Sequence, residues 1–475
     1  MHVVLIQPPD PAPTVEPMDS SYGSASQITP SIELLNLLSY LRNHTRHSCS
    51  FIDTRLLQDP EQHLISSIRN SPSPRIAVLA VTTEGLGAAA GILELLRKHE
   101  PALRIVAVGS HPSSHPEFAL ALSQVHVALC GDPEPLLHHY LEYADIPNRL
   151  QKTPGIAMRG GPATTAFWNS DLKGISLPDF QGVPWAGYSV PAPRKGSIAS
   201  IRLSRGHTKE PADRAMGLGG EPLRIWPFDR VAAALHKCAA LGIVDVFLGD
   251  PIGFWNEARI QDWCAAMNLA NNTQPWSFQM MPMALNRDTL VVLHESWCRR
   301  IEVVFPSCSP EVLERFGVQF DDDALSETIF RLQDLEIEVE ARIWVGGPEE
   351  GKGEAERIVR TLSLLGFMPY SLHAFPYRFD APMQKEVSSM VARPSLAEWI
   401  AWSGNPWSEK KPVLLWGGAD AAARIEETMQ AAERAVQRHP KRRILRIAQA
   451  LQSLNPIRSL ETRALGFLNH RRSHS

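Results

Sequence analysis

No apolar run in the chain approaches the roughly 20 residues needed to cross a bilayer, so no membrane span is expected. The start lacks a basic segment followed by a long apolar core. Met1-His2-Val3-Val4-Leu5-Ile6-Gln7-Pro8-Pro9 reads as a first strand and not a signal peptide, and a cytoplasmic location is the expectation. Neither sign of charge dominates: 47 Lys and Arg against 51 Asp and Glu give a net charge of −4, which argues against a nucleic-acid partner. Cysteine is sparse. The six residues Cys49, Cys130, Cys238, Cys264, Cys298 and Cys308 show no metal-ligand or redox spacing and read as free buried thiols. Gly217, Gly219 and Gly220 neither follow a strand nor open a helix in frame, so they make no dinucleotide fingerprint. No Ser–His–Asp set or carboxylate pair stands out by spacing.

What is present is α/β. With 475 residues, 44% apolar and 21% charged, the chain has the composition of a soluble protein of about two or three domains. Over residues 1–145, strand-like runs at 3–6, 50–53, 76–81, 104–108 and 125–130 alternate with helical spacing at 32–41, 88–96, 117–122 and 134–143. This pattern predicts a parallel sheet with helices on both faces, whose ligands sit at the carboxyl ends of the strands. The strand-end loops read Gln7-Pro8-Pro9, Thr82-Thr83-Glu84-Gly85, Gly109-Ser110-His111-Pro112 and Gly131-Asp132-Pro133-Glu134. Taken alone they are either ordinary tight turns of a Rossmann-like sheet or small-residue loops that let a flat ligand approach the backbone. Residues 146–197 are dense in Pro and Gly and are expected to form an irregular interdomain linker. From 198 to 384, strands at 198–203, 244–248, 276–280, 300–305, 339–345 and 371–375 alternate with helices at 228–241, 257–269, 287–295, 311–316, 326–335 and 354–365. Trp226, Trp255, Trp276 and Trp344 fall among them as core or lid residues. Residues 385–475 carry an amphipathic helix at 421–435 and a basic run at Arg438, Lys441, Arg442, Arg443 and Arg446. That run is a solvated face and tail, or else a dock for an acidic partner or a phosphate.

The segment Ser204-Arg205-Gly206-His207-Thr208-Lys209-Glu210-Pro211-Ala212-Asp213-Arg214 follows the first strand of this second unit. It resembles the first loop of a radical S-adenosylmethionine (SAM) barrel, Ser-Arg-Gly-Cys-x-x-x-Cys-x-x-Cys. The three cysteine positions fall here on His207, Pro211 and Arg214. Pro carries no side-chain ligand and Arg is a permanent cation, so a three-thiolate [4Fe–4S] site is not expected. His207, Glu210 and Asp213 form a conceivable His/carboxylate metal site, though no protein metal ligand is expected. The charged residues otherwise solvate the loop, or His207 and Arg214 fill the vacated volume and face an anion.

Further motifs support the resemblance. Ser309-Pro310-Glu311-Val312-Leu313, Gly346-Gly347-Pro348-Glu349-Glu350-Gly351 and Phe375-Pro376-Tyr377 are similar to radical SAM segments around strands four, five and six. The four N-terminal loops are similar in order and spacing to the cobalamin (B12)-binding domain that precedes many such barrels, and Thr153-Pro154-Gly155-Ile156-Ala157-Met158-Arg159 to the segment between the two domains. The resemblance implies a Rossmann-like B12-binding-type domain (1–145), a linker (146–197), a partial (βα)6 radical SAM-type barrel (198–384) and a helical basic C-terminal region (385–475). It implies cobalamin held by Pro8, Pro9, Thr82, Thr83, Gly85, Gly109, Ser110, His111, Gly131 and Glu134. The Asp-x-His-x-x-Gly motif that ligates cobalt is absent, so no cobalt ligand is implied; His111 and His115 could lie near the metal, or be ordinary loop histidines. Gly249-Asp250-Pro251-Ile252-Gly253-Phe254-Trp255 and Phe305-Pro306-Ser307-Cys308-Ser309 depart from the SAM-contacting patterns, so SAM binding is not implied. The expected function is a cobalamin-binding protein without radical chemistry. It would be accessory or substrate-binding, take a small-molecule ligand and act beside an intact radical SAM enzyme. The alternative is an enzyme, a cobalamin-dependent methyltransferase working by polar displacement; a smaller possibility is a barrel mouth rebuilt for unrelated chemistry around His207, Glu210 and Asp213.

Overall fold

The computed structural model describes residues 1–9, 30–82, 85–122, 124–190, 196–206, 222–249, 256–315, 318–345, 353–367 and 372–376, with isolated positions between 397 and 434. The expected helix at 421–435 as a unit, the basic run, the turn at 346–351 and Tyr377 lie outside these residues.

The first sheet contains β1 (His2–Gln7), β2 (Ser48–Asp53), β3 (Arg75–Ala80), β4 (Arg104–Val108), β5 (Val125–Leu129) and β6 (Ile156–Met158). Its order is β2-β1-β3-β4-β5-β6, parallel except for the antiparallel β6. The central strands β1, β3 and β4 are largely apolar because both faces are covered, whereas the edge strand β2 is polar and only partly buried. Val3, Leu5, Val78 and Val106 pack beneath α1 (Ile32–His44) and α6 (Pro133–Tyr143). Val4, Ile6, Leu79 and Ile105 pack beneath α2 (Pro60–Asn70), α3 (Leu86–His99) and α5 (Pro116–Ala121), with the short α4 (Ser110–Ser114) just after β4 and α7 (Pro147–Leu150) after α6.

Three of these elements have weak sequence signals. Helix α2 is polar but opens on Asp59, whose carboxylate accepts from the Gln62 amide, and on Pro60 at the first helical position. Helix α4 is a single turn containing Pro112. Strand β6 lies within the segment expected to be irregular; it extends the first sheet instead, because Leu129 and Ala128 pair antiparallel with Ile156 and Ala157.

The second sheet contains β7 (Ser189–Val190), β8 (Gly196–Ile201), β11 (Ile243–Leu248), β12 (Trp276–Met280), β13 (Cys298–Phe305), β14 (Glu338–Val345) and β15 (Leu372–Pro376). Its order is β15-β14-β13-β12-β11-β8-β7, with β7 antiparallel at one edge and the rest parallel. The end strands β15 and β7 do not pair with each other, so among the described residues the sheet is an open, partial barrel. Helices α8 (Phe228–Ala240), α9 (Glu257–Leu269), α10 (Arg287–Glu295), α11 (Pro310–Arg315), α12 (Asp322–Asp334) and α13 (Glu354–Leu364) connect the strands. Helix α12 starts four residues before the expected 326, because Asp321 caps the Ala324 amide. A small antiparallel hairpin, β9 (Ser204–Arg205) with β10 (Arg224–Ile225), stands after β8.

One core joins the two sheets. It runs from Val3, Leu5 and Leu34 through the connecting residues Leu172, Ile175, Phe180, Val183 and Tyr188 to Trp226, Trp263, Trp276 and Phe278. The buried Tyr188 hydroxyl donates to Asp53 Oδ2 at 2.6 Å, and Arg55 holds the same carboxylate at 2.6 Å.

Candidate functional site

In a sheet ordered 2-1-3-4-5 the ligand crevice opens where the order reverses, between β1 and β3. The turn after β1 is tied back by Thr54, whose hydroxyl donates to the Gln7 carbonyl at 2.8 Å. After β3, Thr82 Oγ1 accepts from the Gly85 amide at 3.0 Å and so closes the turn into α3. After β4, Gly109 has φ 118°, and a Cβ there would lie 2.7 Å from the Val81 carbonyl oxygen. The glycine is therefore required by backbone closeness between the β3 and β4 ends, whatever else binds nearby.

The expected ligand residues fall into two groups. Thr82 and Ser110 are exposed, and Pro9 and Gly109 are half-buried, so these four form a small-residue rim on the β1, β3 and β4 ends. Pro8, Gly85, His111, Gly131 and Glu134 are buried. Thr83 lies outside the described residues, as do His207, Pro211 and Arg214. His111 is 0% exposed and packs with His115 and Phe118, ring centroids 5.3 and 6.5 Å away. Burial, with His115 beside it, pushes its pKa down to about 3. It is a neutral core histidine, enclosed in this structure.

The β5 end is occupied by the protein itself. Phe167 bridges across it: its amide donates to the Cys130 carbonyl at 2.8 Å, and its carbonyl accepts from the Asp132 amide at 2.9 Å. A Cβ on Gly131 would stand 1.9 Å from the Phe167 oxygen. Two arginines then reach the carboxylates that follow. Arg205 Nη2 and Nη1 donate to Glu134 Oε1 and Oε2 at 2.5 and 2.9 Å, and Nη1 also reaches Asp132 Oδ1 at 3.1 Å. Arg224 donates to both oxygens of Asp132. All four side chains are at least nine-tenths buried. Arg205 lies 5.4 Å from the Trp226 ring and Arg224 5.7 Å from Trp168. The sequence places Arg205 in a cluster-type loop and Asp132 in a strand-end loop, and gives no sign that Arg224 joins them. The available signal is Asp132-Pro133-Glu134-Pro135: Pro135 at the third helical position removes one of the two amides that Asp132 would otherwise cap.

The inward face of the barrel is polar. Asp245, Ser277, Gln279, Arg300, Glu302 and Glu340 are buried there. Gln279 donates to Glu302 at 2.9 Å, Arg300 reaches Glu340 at 3.4 Å, and the less buried Arg342 lies 3.5 Å from Glu302. Burial works against the Arg300 charge, but Glu302, Glu340 and Asp245 outweigh it and hold its pKa above the ordinary range. Closed barrels usually fill this volume with Val, Ile and Leu; here the apolar residues of the same strands, such as Val246, Phe278 and Ile301, belong to the core.

The described cysteines are all free, and Cys49 alone is not fully buried. Burial raises the thiols, Cys130, Cys238 and Cys264 to about 12, which leaves these three protonated at neutral pH. Among the described residues no group of three or more His, Cys, Asp or Glu could hold a metal ion, and no helix is long and apolar enough to cross a membrane. Trp226 and Trp276 are core residues, 1% and 0% exposed.

No family model matches the chain, and no curated protein matches it in sequence. Solved structures do match. The radical S-adenosylmethionine methyltransferase TsrM from Kitasatospora setae, with tryptophan substrate and the SAM analogue aza-SAM bound, superposes with a TM-score of 0.63 at 15% identity, over 83% of this chain and 77% of its own. TsrM with cobalamin and a [4Fe–4S] cluster bound gives 0.61 at 14% identity, over 83% and 76%. OxsB, a cobalamin-dependent S-adenosylmethionine radical enzyme with aqua-cobalamin bound, gives 0.58 at 15% identity, over 86% of this chain and 56% of the longer OxsB chain. At these identities the likeness is one of fold: a Rossmann-like domain followed by a partial barrel, the architecture of cobalamin-dependent radical SAM enzymes.

Proposed function

We propose that the chain is a cobalamin-binding protein of the B12-binding radical SAM type that has lost the [4Fe–4S] cluster and reductive SAM cleavage, and that it serves an accessory or substrate-binding role beside an intact radical SAM enzyme. The observation that carries this reading is the pairing of a retained two-domain fold with His207, Pro211 and Arg214 at the three cluster positions. These side chains supply no thiolate, so they do not fit a cluster of the usual kind. A flat corrin would be seated on the β1, β3 and β4 strand ends, where Pro9, Thr82, Gly109 and Ser110 form a low rim at the switch point. With His111 enclosed, this rim offers no imidazole to cobalt. Cobalamin, when bound, supplies a cobalt able to carry a methyl group; the protein's part is to seat the ring and shape the space between rim and barrel.

The test is the visible spectrum of purified protein titrated with hydroxocobalamin, alongside an iron assay. Corrin uptake without iron supports the reading. Neither corrin nor iron would sink it, and a brown protein with several irons per chain would overturn the loss of the cluster. Corrin-loaded protein reduced to the cob(I)alamin state with titanium(III) citrate and then mixed with SAM separates the accessory role from polar methyl transfer: S-adenosylhomocysteine forms only in the second case.

A further inference from the structure

We propose that the β5 strand-end loop is an interdomain latch and not a ligand loop. Asp132 and Glu134 act as positioning residues that hold the β9–β10 hairpin, and so the mouth of the barrel, against the first domain. The inference rests on the fold and does not need cobalamin.

The hairpin cannot be stable by itself. Arg205 and Arg224 are direct cross-strand partners in its antiparallel register, and like charges facing each other across a strand pair repel. Both guanidinium groups are also buried, which is costly unless they are paired and hydrogen-bonded. Asp132 and Glu134 remove both problems at once. Glu134 takes Arg205 in a two-pronged contact, and Asp132 lies between the two arginines and touches both. The first domain presents these carboxylates ready-made. Pro135 carries no amide to compete for Asp132, which makes no side-chain cap to its own helix. The Asn169 amide donates to Asp132 Oδ2 at 2.7 Å and fixes its rotamer. The amino end of α6 adds a favourable dipole for both acids.

The same loop is poorly placed for a ligand. It lies two strands from the switch point, Phe167 sits on Gly131, and Glu134 is 0% exposed. It is instead coupled to the rim. The Gly131 amide donates to Ser113 Oγ at 3.0 Å, and that hydroxyl donates to the Gly109 carbonyl at 2.8 Å. A continuous set of contacts therefore runs from the exposed β4 end through Ser113 and Gly131 to the arginines at both stems of the hairpin.

Hydrogen–deuterium exchange on the full chain tests the latch. Glu134→Gln should accelerate exchange by about tenfold or more in peptides covering 196–206 and 222–226, the least expected when a buried charged partner is lost. Peptides from β1, β3 and β4 should keep their protection. Arg205→Lys, which retains the charge but not the fork, should give an intermediate effect. If Glu134→Gln does not fold, Asp132→Asn decides the matter by the same readout. Unchanged exchange at the hairpin overturns the proposal, as does equal acceleration throughout the first domain. Hydroxocobalamin titration of the same variants keeps the two readings apart. Weakened corrin uptake with an unmoved hairpin would make Glu134 a ligand residue. A wild-type chain that takes up no corrin would end the cobalamin reading and leave the latch to the exchange data.

Discussion

At Gly131, φ is 109° and the space a Cβ would need is filled by backbone. Gly131→Ala is therefore expected to cost at least about 2 kcal/mol, from positive-φ strain together with displacement of Phe167, read as a lowered urea midpoint. His111 makes a pH-dependent contribution. Its folded pKa is depressed to about 3 by burial, whereas an unfolded histidine titrates near 6.5. Between those values the unfolded chain binds the extra proton, so the stability held above about pH 6.5 is lost as the pH falls toward 3. For one site this loss amounts to about 2 kcal/mol at most between pH 7 and 5. His111→Gln should shrink the fall in stability over that interval. An unchanged pH dependence would mean that His111 is not a buried neutral group.

Among the elements, α2 starts on the Asp59 cap followed by Pro60. Asp59→Ala removes the bond to the Gln62 amide at 3.0 Å and should lower stability by about 1 kcal/mol, checked by the shift in denaturant midpoint at constant slope. The helix also shows what the sequence makes legible. The parallel barrel strands and their helices are readable because they carry apolar patterns of their own, and α9 and α10 begin and end where the periodicity places them; the two-residue edge strand β7 falls instead in the segment expected to be irregular. Helix α2 was not readable because only three of its side chains, Leu64, Ile65 and Ile68, are buried. Strand β6 is not legible because a three-residue strand at a sheet edge has no periodicity of its own. At the site, the glycines of the strand-end loops were visible in the sequence, but their reason was not: Gly109 and Gly131 answer to Val81 and Phe167, contacts that only the fold creates. The arginine–carboxylate quartet was hidden for the same reason, since Glu134 and Arg205 are 71 residues apart.

Across the whole molecule, the two sheets share one apolar core through the connecting segment. Loss of the two sheets should therefore be coupled, with protection of β3 and β12 in hydrogen exchange lost at the same urea concentration. Two separated transitions would contradict a common core. The hairpin sets an order on how that core is reached. Its facing arginines have no reason to come together until Asp132 and Glu134 are already in place, and the ribosome delivers those acids first. The amino-terminal sheet should thus act as the template on which the barrel's opening strand settles. Pulse-labelled exchange during refolding would show it as protection of β1, β3 and β4 before β8.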